Sequence, residues 1–148
     1  MKKGFNAVSS GIVTPDWIDR NGHMNACYYM SIFNGGTDSI LRRIGISDYS
    51  VKTKGLTFVA SRIYISHRKE LLCDENWQLT SGFLTINPRY LTIVHKLTSA
   101  RTVKAYCYIR GAIFCMKKRQ ARFLEPKLAS KARALIIDGL KDPFDSII

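Results

Sequence analysis

The sequence predicts an α+β fold in which one long central helix is wrapped by a curved antiparallel sheet. Two observations carry this prediction. Between positions 24 and 44, apolar residues recur at every third or fourth position, as they do on the buried face of a helix. From residue 55 onward the period changes to about two, and turn residues divide the chain into strand-length runs. One helix followed by several strands is typical of an α+β layer arrangement.

The size and composition are those of an ordinary globular domain. The chain has 148 residues, of which 46% are hydrophobic and 23% charged, so we expect a single domain over residues 1–148. No apolar stretch approaches the roughly 20 residues that span a bilayer, and the N-terminus lacks the apolar region of a secretory signal. We therefore expect a cytoplasmic protein.

The four cysteines give no sign of a metal site. They form no CxxC pair and no ligand-like spacing with a histidine, so we expect no structural metal. In the cytoplasm they are expected to be reduced thiols.

The formal charge of +12 is unusual and unevenly distributed. Residues 1–75 hold ten Lys or Arg against seven acids, whereas residues 76–148 hold thirteen against four. Such a surplus attracts polyanions, which include nucleic acid, acidic membranes and phosphorylated ligands. The charge alone does not indicate which of these polyanions the protein binds.

The first half of the chain is expected to contain a short apolar piece, a loop and the long helix. Val8 to Val13 is the apolar piece, and Thr14 to His23 is rich in turn residues. The helix is predicted over Met24 to Ile44, with Gly45 as its C-terminal cap. Gly35 and Gly36 each cost the helix about 1 kcal/mol relative to alanine, so we expect another backbone to approach them closely.

The second half is expected to form four strands, at about 56–66, 76–86, 89–99 and 103–116. Asn87-Pro88 is too short for anything but a tight turn, which predicts an antiparallel hairpin between the second and third runs. In the second run the apolar parity changes after Gly82-Phe83, and a β-bulge there would restore the register.

The last run is apolar on both parities, so both faces of the sheet are expected to be covered. One face would pack on the helix and the other on a second subunit, which predicts a homo-oligomer. Lys127 to Ile137 is predicted to be a short amphipathic helix, and Lys141 to Ile148 has no evident pattern.

The segment at the start of the helix carries a recognisable motif. It consists of Asp19, Gly22-His23, Met24, Asn25 and Tyr29 at fixed spacing. This pattern resembles the signature of the 4-hydroxybenzoyl-CoA thioesterase-like branch of the hotdog superfamily. Its amino-acid sequence is similar to that of betainyl-CoA thioesterases. The resemblance continues at residues 67–71 and 88–91 and covers nearly the whole chain.

The resemblance implies a hotdog fold and hydrolysis of an acyl-CoA thioester. It also implies a homodimer or homotetramer, and no cofactor, since coenzyme A is part of the substrate. We expect no nucleic-acid partner and no membrane span. The acyl group, its chain length and the pathway stay open.

The chemistry of the motif agrees with this function. A helix N-terminus leaves backbone N–H groups without intrahelical acceptors, and their dipoles favour negative charge. The Ala26 N–H matches the family's oxyanion donor, and Asp19 matches its catalytic carboxylate. Asp19 would either attack the thioester carbonyl or activate a water molecule as a general base. Without the resemblance, Asp19 would be read as a helix-capping or loop aspartate.

The remaining site candidates follow from the same motif and from the charge. Asn25 would cap the helix or act on the substrate, while His23, which the family pattern makes mainly structural, and Tyr29 would line the substrate site. Asn34 is also assigned to substrate binding; it stands where many relatives carry an acid, which raises the question of slower, different or absent turnover. His95 is expected to be a core or interface histidine. Arg89, Lys117 and Arg119 are assigned to substrate binding. The cluster at 117–122 would bind the phosphates of coenzyme A across a subunit interface, or it is a solvated strand end.

Two other functions compete with hydrolysis. The first is a non-catalytic acyl-CoA binding protein, for which Asn34 is the hint. The second is a basic module that binds nucleic acid or an anionic surface, although no nucleic-acid-binding signature accompanies the charge. The sequence has no GxSxG motif, no P-loop and no GxGxxG motif that would indicate a serine hydrolase or a nucleotide-binding enzyme.

Overall fold

The fold is given by a computed structural model that describes residues 4–146. One antiparallel sheet of six strands packs on a long helix. The strands are β1 (Asn6–Ile12), β2 (Leu56–His67), β3 (Asn76–Ile86), β4 (Leu91–Ser99), β5 (Thr102–Cys115) and β6 (Gln120–Arg122), and the helices are α1 (Ala26–Arg42), α2 (Asp48–Lys54) and α3 (Pro126–Arg133). The order in the sheet is β1-β3-β4-β5-β2, and β6 pairs with the end of β5.

The helix α1 forms where the sequence predicts it, within two residues at each end. Its N-cap is Asn25, whose side-chain oxygen accepts a hydrogen bond from the Cys27 N–H. Its buried face carries residues at helical spacing, and this face lies on the concave side of the sheet. The buried residues of α1 are Tyr29, Ile32, Phe33, Gly36, Thr37, Ile40 and Leu41.

The two glycines of α1 differ. A Cβ atom on Gly36 would lie within 2.4 Å of the Leu79 side chain and 3.1 Å of the His95 ring, whereas a Cβ on Gly35 would meet nothing within 4 Å. The predicted close approach is therefore confirmed for Gly36 alone. The neighbours are side chains of β3 and β4 rather than backbone, which corrects that part of the expectation.

The strand predictions are confirmed. Each of the four predicted runs matches one of β2 to β5 with ends that differ by two residues at most, and β1 covers most of the Val8–Val13 piece. Residues 87–90 join β3 to β4 as a tight hairpin. The pairing of β3 with β4 shifts between Phe83 and Thr85, one residue past the predicted bulge at Gly82-Phe83.

Three details differ from the prediction. The short helix α2 was not predicted, because it has seven mostly polar residues and is fixed by a capping box between Ser47 and Ser50. The three-residue strand β6 was not predicted either. The helix α3 ends four residues before Ile137, because Leu135 and Ile137 exchange backbone hydrogen bonds with Phe83 at the edge of β3.

The chain's own C-terminal segment covers part of the outer face of the sheet. Ile137 lies against Gly82, and Phe144 is buried. The Arg110 guanidinium bonds to Asp142 at 2.7 Å and to Asp145 at 2.9 Å, which fastens the segment to β5. The sequence predicts a second subunit alone as the cover of this face, and it shows no pattern in Lys141 to Ile148. Residues 147–148 lie outside the described part of the chain.

The sheet has two distinct ends, which matter for the site. The Met24 N–H bonds to the Leu71 carbonyl at 2.8 Å, so the start of α1 lies at the end where β2 finishes. The Met116 N–H bonds to the Gly55 carbonyl at 2.8 Å, so α2 and the β5–β6 turn lie at the opposite end. Among residues 4–146, no helix is both long enough and apolar enough to cross a membrane.

Candidate active site

The motif loop forms a tight turn just before α1. The Gly22 N–H bonds to the Asp19 carbonyl at 3.0 Å, and the Asp19 N–H bonds to the His23 carbonyl at 3.1 Å. Gly22 has φ of 75°, a left-handed conformation that glycine adopts at little cost. The Asn25 N–H then bonds to the Trp17 carbonyl at 2.9 Å, which ties the loop to the start of the helix.

The Asp19 carboxylate is held by two neighbours from its own loop. One oxygen accepts the Asn21 N–H at 2.8 Å, and the other accepts the side-chain amide of Asn25 at 3.3 Å. The side chain is 20% exposed. Both contacts fix the orientation of the carboxylate.

Asn25 has two roles at once. Its side-chain oxygen accepts the Cys27 N–H at 3.0 Å and so caps α1, while its side-chain nitrogen donates to Asp19. The sequence left capping and a site role open as alternatives, and the geometry combines capping with a contact to the carboxylate. Next to it, the Ala26 N–H occupies the first position of the helix, where no intrahelical acceptor exists.

A cleft of about 450 Å³ lies beside the start of α1. His23, Ala26 and Tyr29 line one side, and residues 67–70 line the other. The Tyr29 ring meets the His67 ring edge-on at 4.7 Å between centroids, and burial raises the pKa of the Tyr29 phenol. Asp19 does not line this cleft itself; its nearest link is His23, whose Nε2 lies 3.9 Å from a carboxylate oxygen.

The sequence did not identify His67 and Glu70 as members of the site. The Nδ1 atom of His23 lies 3.4 Å from a carboxylate oxygen of Glu70, so His23 stands between two carboxylates. In the sequence, residues 67–71 indicate the family resemblance but no role in the site. Their approach to the loop depends on the tertiary pairing of Met24 with Leu71, which no local sequence pattern reports.

Comparison with known protein families identifies the family of this chain. The family model described as the thioesterase-like superfamily matches residues 13–134, which include the loop, α1 and the strands β2 to β6. The chain belongs to the thioesterase-like superfamily. The predicted family is thereby confirmed.

Individual relatives of the superfamily are distant in sequence. The betainyl-CoA thioesterase of Pseudomonas aeruginosa is 24% identical over 85 residues, which are 57% of this chain and 54% of that protein. The chain thus spans about half the length of this curated relative.

Solved structures confirm the fold. A hypothetical protein from Staphylococcus aureus, solved in complex with CoA, has a TM-score of 0.85 at 15% identity and covers 100% of this chain and 96% of its own. YbaW, a probable thioesterase from Escherichia coli, has a TM-score of 0.72 at 19% identity, with coverage of 86% and 96%. The 1,4-dihydroxy-2-naphthoyl-CoA thioesterase of Synechocystis has a TM-score of 0.73 at 10% identity, with coverage of 88% and 96%.

Asn34 lies apart from the cleft at the start of α1. It is exposed and lines a second groove of about 450 Å³ between α1 and β2, together with Asp38 one helical turn further on. Apolar side chains form the floor of this groove. They include Leu41, Ile46, Val51, Phe58 and Ile63.

The three basic residues predicted to bind substrate lie at the opposite end of the sheet from Asp19 within one chain. Arg89 is in the β3–β4 turn and stacks over the Phe123 ring at 5.6 Å, while Lys117 and Arg119 are in the β5–β6 turn. All three are exposed. One chain therefore does not bring them to the Asp19 loop.

His95 is a core residue, as expected. It is fully buried, and its two ring nitrogens face the hydroxyl groups of Ser81 and Thr37. Burial lowers the pKa of His95 to about 3, so the ring is neutral at physiological pH.

Proposed function

We propose that this protein hydrolyses acyl-CoA thioesters at the start of α1. The observation that carries the proposal is the pairing of the Asp19 carboxylate with Asn25 at the cap of a helix whose first residue, Ala26, lines a cleft. The similar betainyl-CoA thioesterase of Pseudomonas aeruginosa and 1,4-dihydroxy-2-naphthoyl-CoA thioesterase of Synechocystis support a CoA thioester as the substrate.

The Ala26 N–H would stabilise the charge that develops on the thioester oxygen. Its position at the helix N-terminus adds the favourable dipole of α1. A preorganised donor of this kind contributes about 3 kcal/mol to transition-state stabilisation.

Asp19 would supply the base or the nucleophile. As a base, it takes a proton from water while the water oxygen forms a bond to the acyl carbon; the carbon–sulfur bond then breaks, and the proton passes to the departing thiolate. As a nucleophile, a carboxylate oxygen of Asp19 bonds to the acyl carbon, the carbon–sulfur bond breaks and the coenzyme A thiolate leaves and takes a proton from solvent; water then hydrolyses the acyl anhydride, which releases the carboxylic acid and restores the Asp19 carboxylate. In both routes Asn25 orients the carboxylate, while His23 and Tyr29 shape the wall of the cleft. No cofactor enters either route.

A homo-oligomer would complete the site. The edge of β2 opposite β5 is unpaired within residues 4–146, and Val59, Ile63 and Tyr64 on β2 are 46%, 49% and 45% exposed. A long edge strand with exposed apolar side chains favours pairing with another chain.

Two-fold pairing of β2 edges explains how the distant cations would reach the substrate. Strands related by such an axis run antiparallel, so the Leu56 end of one copy would lie beside the His67 end of the other. Lys117 and Arg119 of a second copy would then approach the cleft beside Ala26 and bind coenzyme A phosphates. Arg89 lies further from the β2 edge, and its proposed contact is the weakest of the three.

Thiol release from a panel of short, long, aromatic and betainyl acyl-CoA thioesters tests the proposal. Wild type, Asp19→Asn and Asp16→Asn are compared, because Asp16 is an exposed aspartate three residues away and serves as a matched control. We expect turnover by wild type and Asp16→Asn on at least one thioester. Absence of turnover on every thioester, with the protein folded, would reject hydrolysis.

The second candidate function is acyl-CoA binding without turnover. Asn34 in place of an acid, and a carboxylate at Asp19 that does not line the cleft, favour this alternative. Micromolar binding of an acyl-CoA by wild type without thiol release would select it.

A further inference from the structure

The end of the sheet opposite Asp19 concentrates positive charge. This region, called the basic end below, comprises α2, the turn at 87–90 and residues 117–131. It holds nine Lys or Arg against only Asp48 and Glu125, which is a net +7 out of the chain's +12. All nine cations are exposed, so the charge faces solvent.

Large apolar side chains protrude among these cations. Tyr49 is 75% exposed and Phe123 is 67% exposed, and Met116, which adjoins the region, is 38% exposed. Each has cations beside it: Lys52 follows Tyr49 by three residues on α2, and Arg89 stacks on the Phe123 ring. Protruding apolar groups surrounded by exposed cations are typical of surfaces that enter the interfacial layer of a membrane.

A small cationic cleft lies between α2 and α3 in the basic end. Its volume is about 80 Å³, and Lys54, Lys127 and Lys131 line it together with Ser50 and Glu125. A cleft of this size with three ammonium groups fits a phosphate-sized headgroup rather than a nucleotide. It also links α2 to α3, so that the cations on the two helices form one surface.

We propose that the basic end docks on a lipid bilayer that contains anionic headgroups. A bilayer provides both anionic charge for the lysines and an apolar layer for Phe123, Tyr49 and Met116. A nucleic acid would match the charge but would offer Met116 no apolar medium. A second copy of the chain would bring two surfaces of net +7 together and repel them.

Within one chain, the docking surface is separate from the site of hydrolysis. Asp19 and the cleft beside Ala26 lie at the other end of α1, whose length of 17 residues corresponds to about 25 Å. Arg89, Lys117 and Arg119 are left out of the test, because they are assigned to substrate binding above.

Vesicle sedimentation tests the inference. Wild type is mixed at 0.15 M salt with phosphatidylcholine vesicles, and with vesicles that contain one quarter phosphatidylglycerol. We expect at least tenfold stronger partitioning into the anionic vesicles. Equal partitioning into both, or none into either, would overturn the proposal.

Charge-reversal variants locate the surface. Lys127→Glu with Lys131→Glu should lower partitioning at least tenfold, since each cation near an anionic surface is worth about fivefold in binding. The matched control is Arg101→Glu with Lys141→Glu, two exposed cations outside the basic end that give the same net charge. An equal loss in the control would show that net charge alone drives binding and would overturn the proposal.

Phe123→Ser separates a bilayer from a nucleic acid. The side chain is exposed, so the variant should fold, and its partitioning should fall several-fold at unchanged charge. Unchanged partitioning, or stronger binding of wild type to a single-stranded oligonucleotide at the same anion concentration, would contradict bilayer docking. Hydrolysis of a soluble short-chain thioester should be the same in wild type and in both charge-reversal variants, so failure of docking is distinguishable from failure of the proposed activity.

Discussion

Asn25 connects the cap of α1 to Asp19: its side-chain nitrogen lies 3.3 Å from a carboxylate oxygen of Asp19, while its side-chain oxygen accepts the Cys27 N–H. One side chain thus fixes both the helix terminus, where the oxyanion would be bound, and the carboxylate.

Two substitutions separate these contacts. Asn25→Asp keeps an oxygen for the cap but replaces the donor with a charge that repels Asp19, so we expect near wild-type stability and at least tenfold lower kcat. Asn25→Ala loses both contacts and should also lower the free energy of unfolding by about 1 kcal/mol. Urea unfolding and thiol release check the two effects. Full activity of Asn25→Asp would show that the contact with Asp19 is not used.

The two glycines of α1 should respond to alanine in opposite directions. Gly35→Ala meets no atom within 4 Å and should raise the free energy of unfolding by about 1 kcal/mol through helix propensity. Gly36→Ala would force the Leu79 side chain away from a close contact with the new methyl group. This variant should lower the free energy of unfolding by about 1 to 3 kcal/mol. Urea unfolding of the pair checks this, and a stabilising Gly36→Ala would mean that β3 does not approach the helix as closely as described.

The C-terminal segment depends on the Arg110 ion pair. Burial would raise the pKa of Asp142, but hydrogen bonds from Thr85, Thr92 and Arg110 outweigh it and the pKa is lowered. Asp142→Ala leaves the mostly buried guanidinium of Arg110 with one partner fewer. This variant should lower the free energy of unfolding by about 3 kcal/mol.

Asp145 provides the control for this pair. It contacts the same guanidinium at 2.9 Å, but its side chain is 59% exposed. Asp145→Ala should therefore lower the free energy of unfolding by less than about 1 kcal/mol. Similar losses for the two variants in urea unfolding would contradict the assignment of Asp142 as the principal partner.

His95 should make the protein less stable as the pH falls. Its pKa in the folded protein is about 3, below the ordinary value of 6.5, so between these two values the unfolded chain binds a proton that the folded chain does not. Stability from this group is complete above pH 6.5 and is lost as the pH falls toward 3, by at most about 1.4 kcal/mol per pH unit.

Urea unfolding at pH 7 and pH 5 measures this dependence. His95→Gln should reduce the slope, because it removes the buried group whose pKa is lowered. An unchanged slope in His95→Gln would show that the buried ring is not the source.

The sequence predicts those parts of the molecule that are determined locally. The period of α1 and the alternation of β2 to β5 follow from which face each element buries, and Asp19, Asn25 and Ala26 lie within eight positions of each other. The short elements α2 and β6 have too few residues to show a period. His67 and Glu70 join the site through a tertiary contact, and the cover of the outer face depends on Arg110 meeting Asp142 from 32 residues away.

The most direct test of the central claim compares kcat and binding for Asp19→Asn on the best thioester found. Thiol release gives kcat, and calorimetry with a non-hydrolysable acyl-CoA analogue gives Kd. If Asp19 performs the chemistry, kcat falls about 100-fold or more while Kd stays within about threefold of wild type. A kcat within tenfold of wild type would contradict a catalytic role for Asp19.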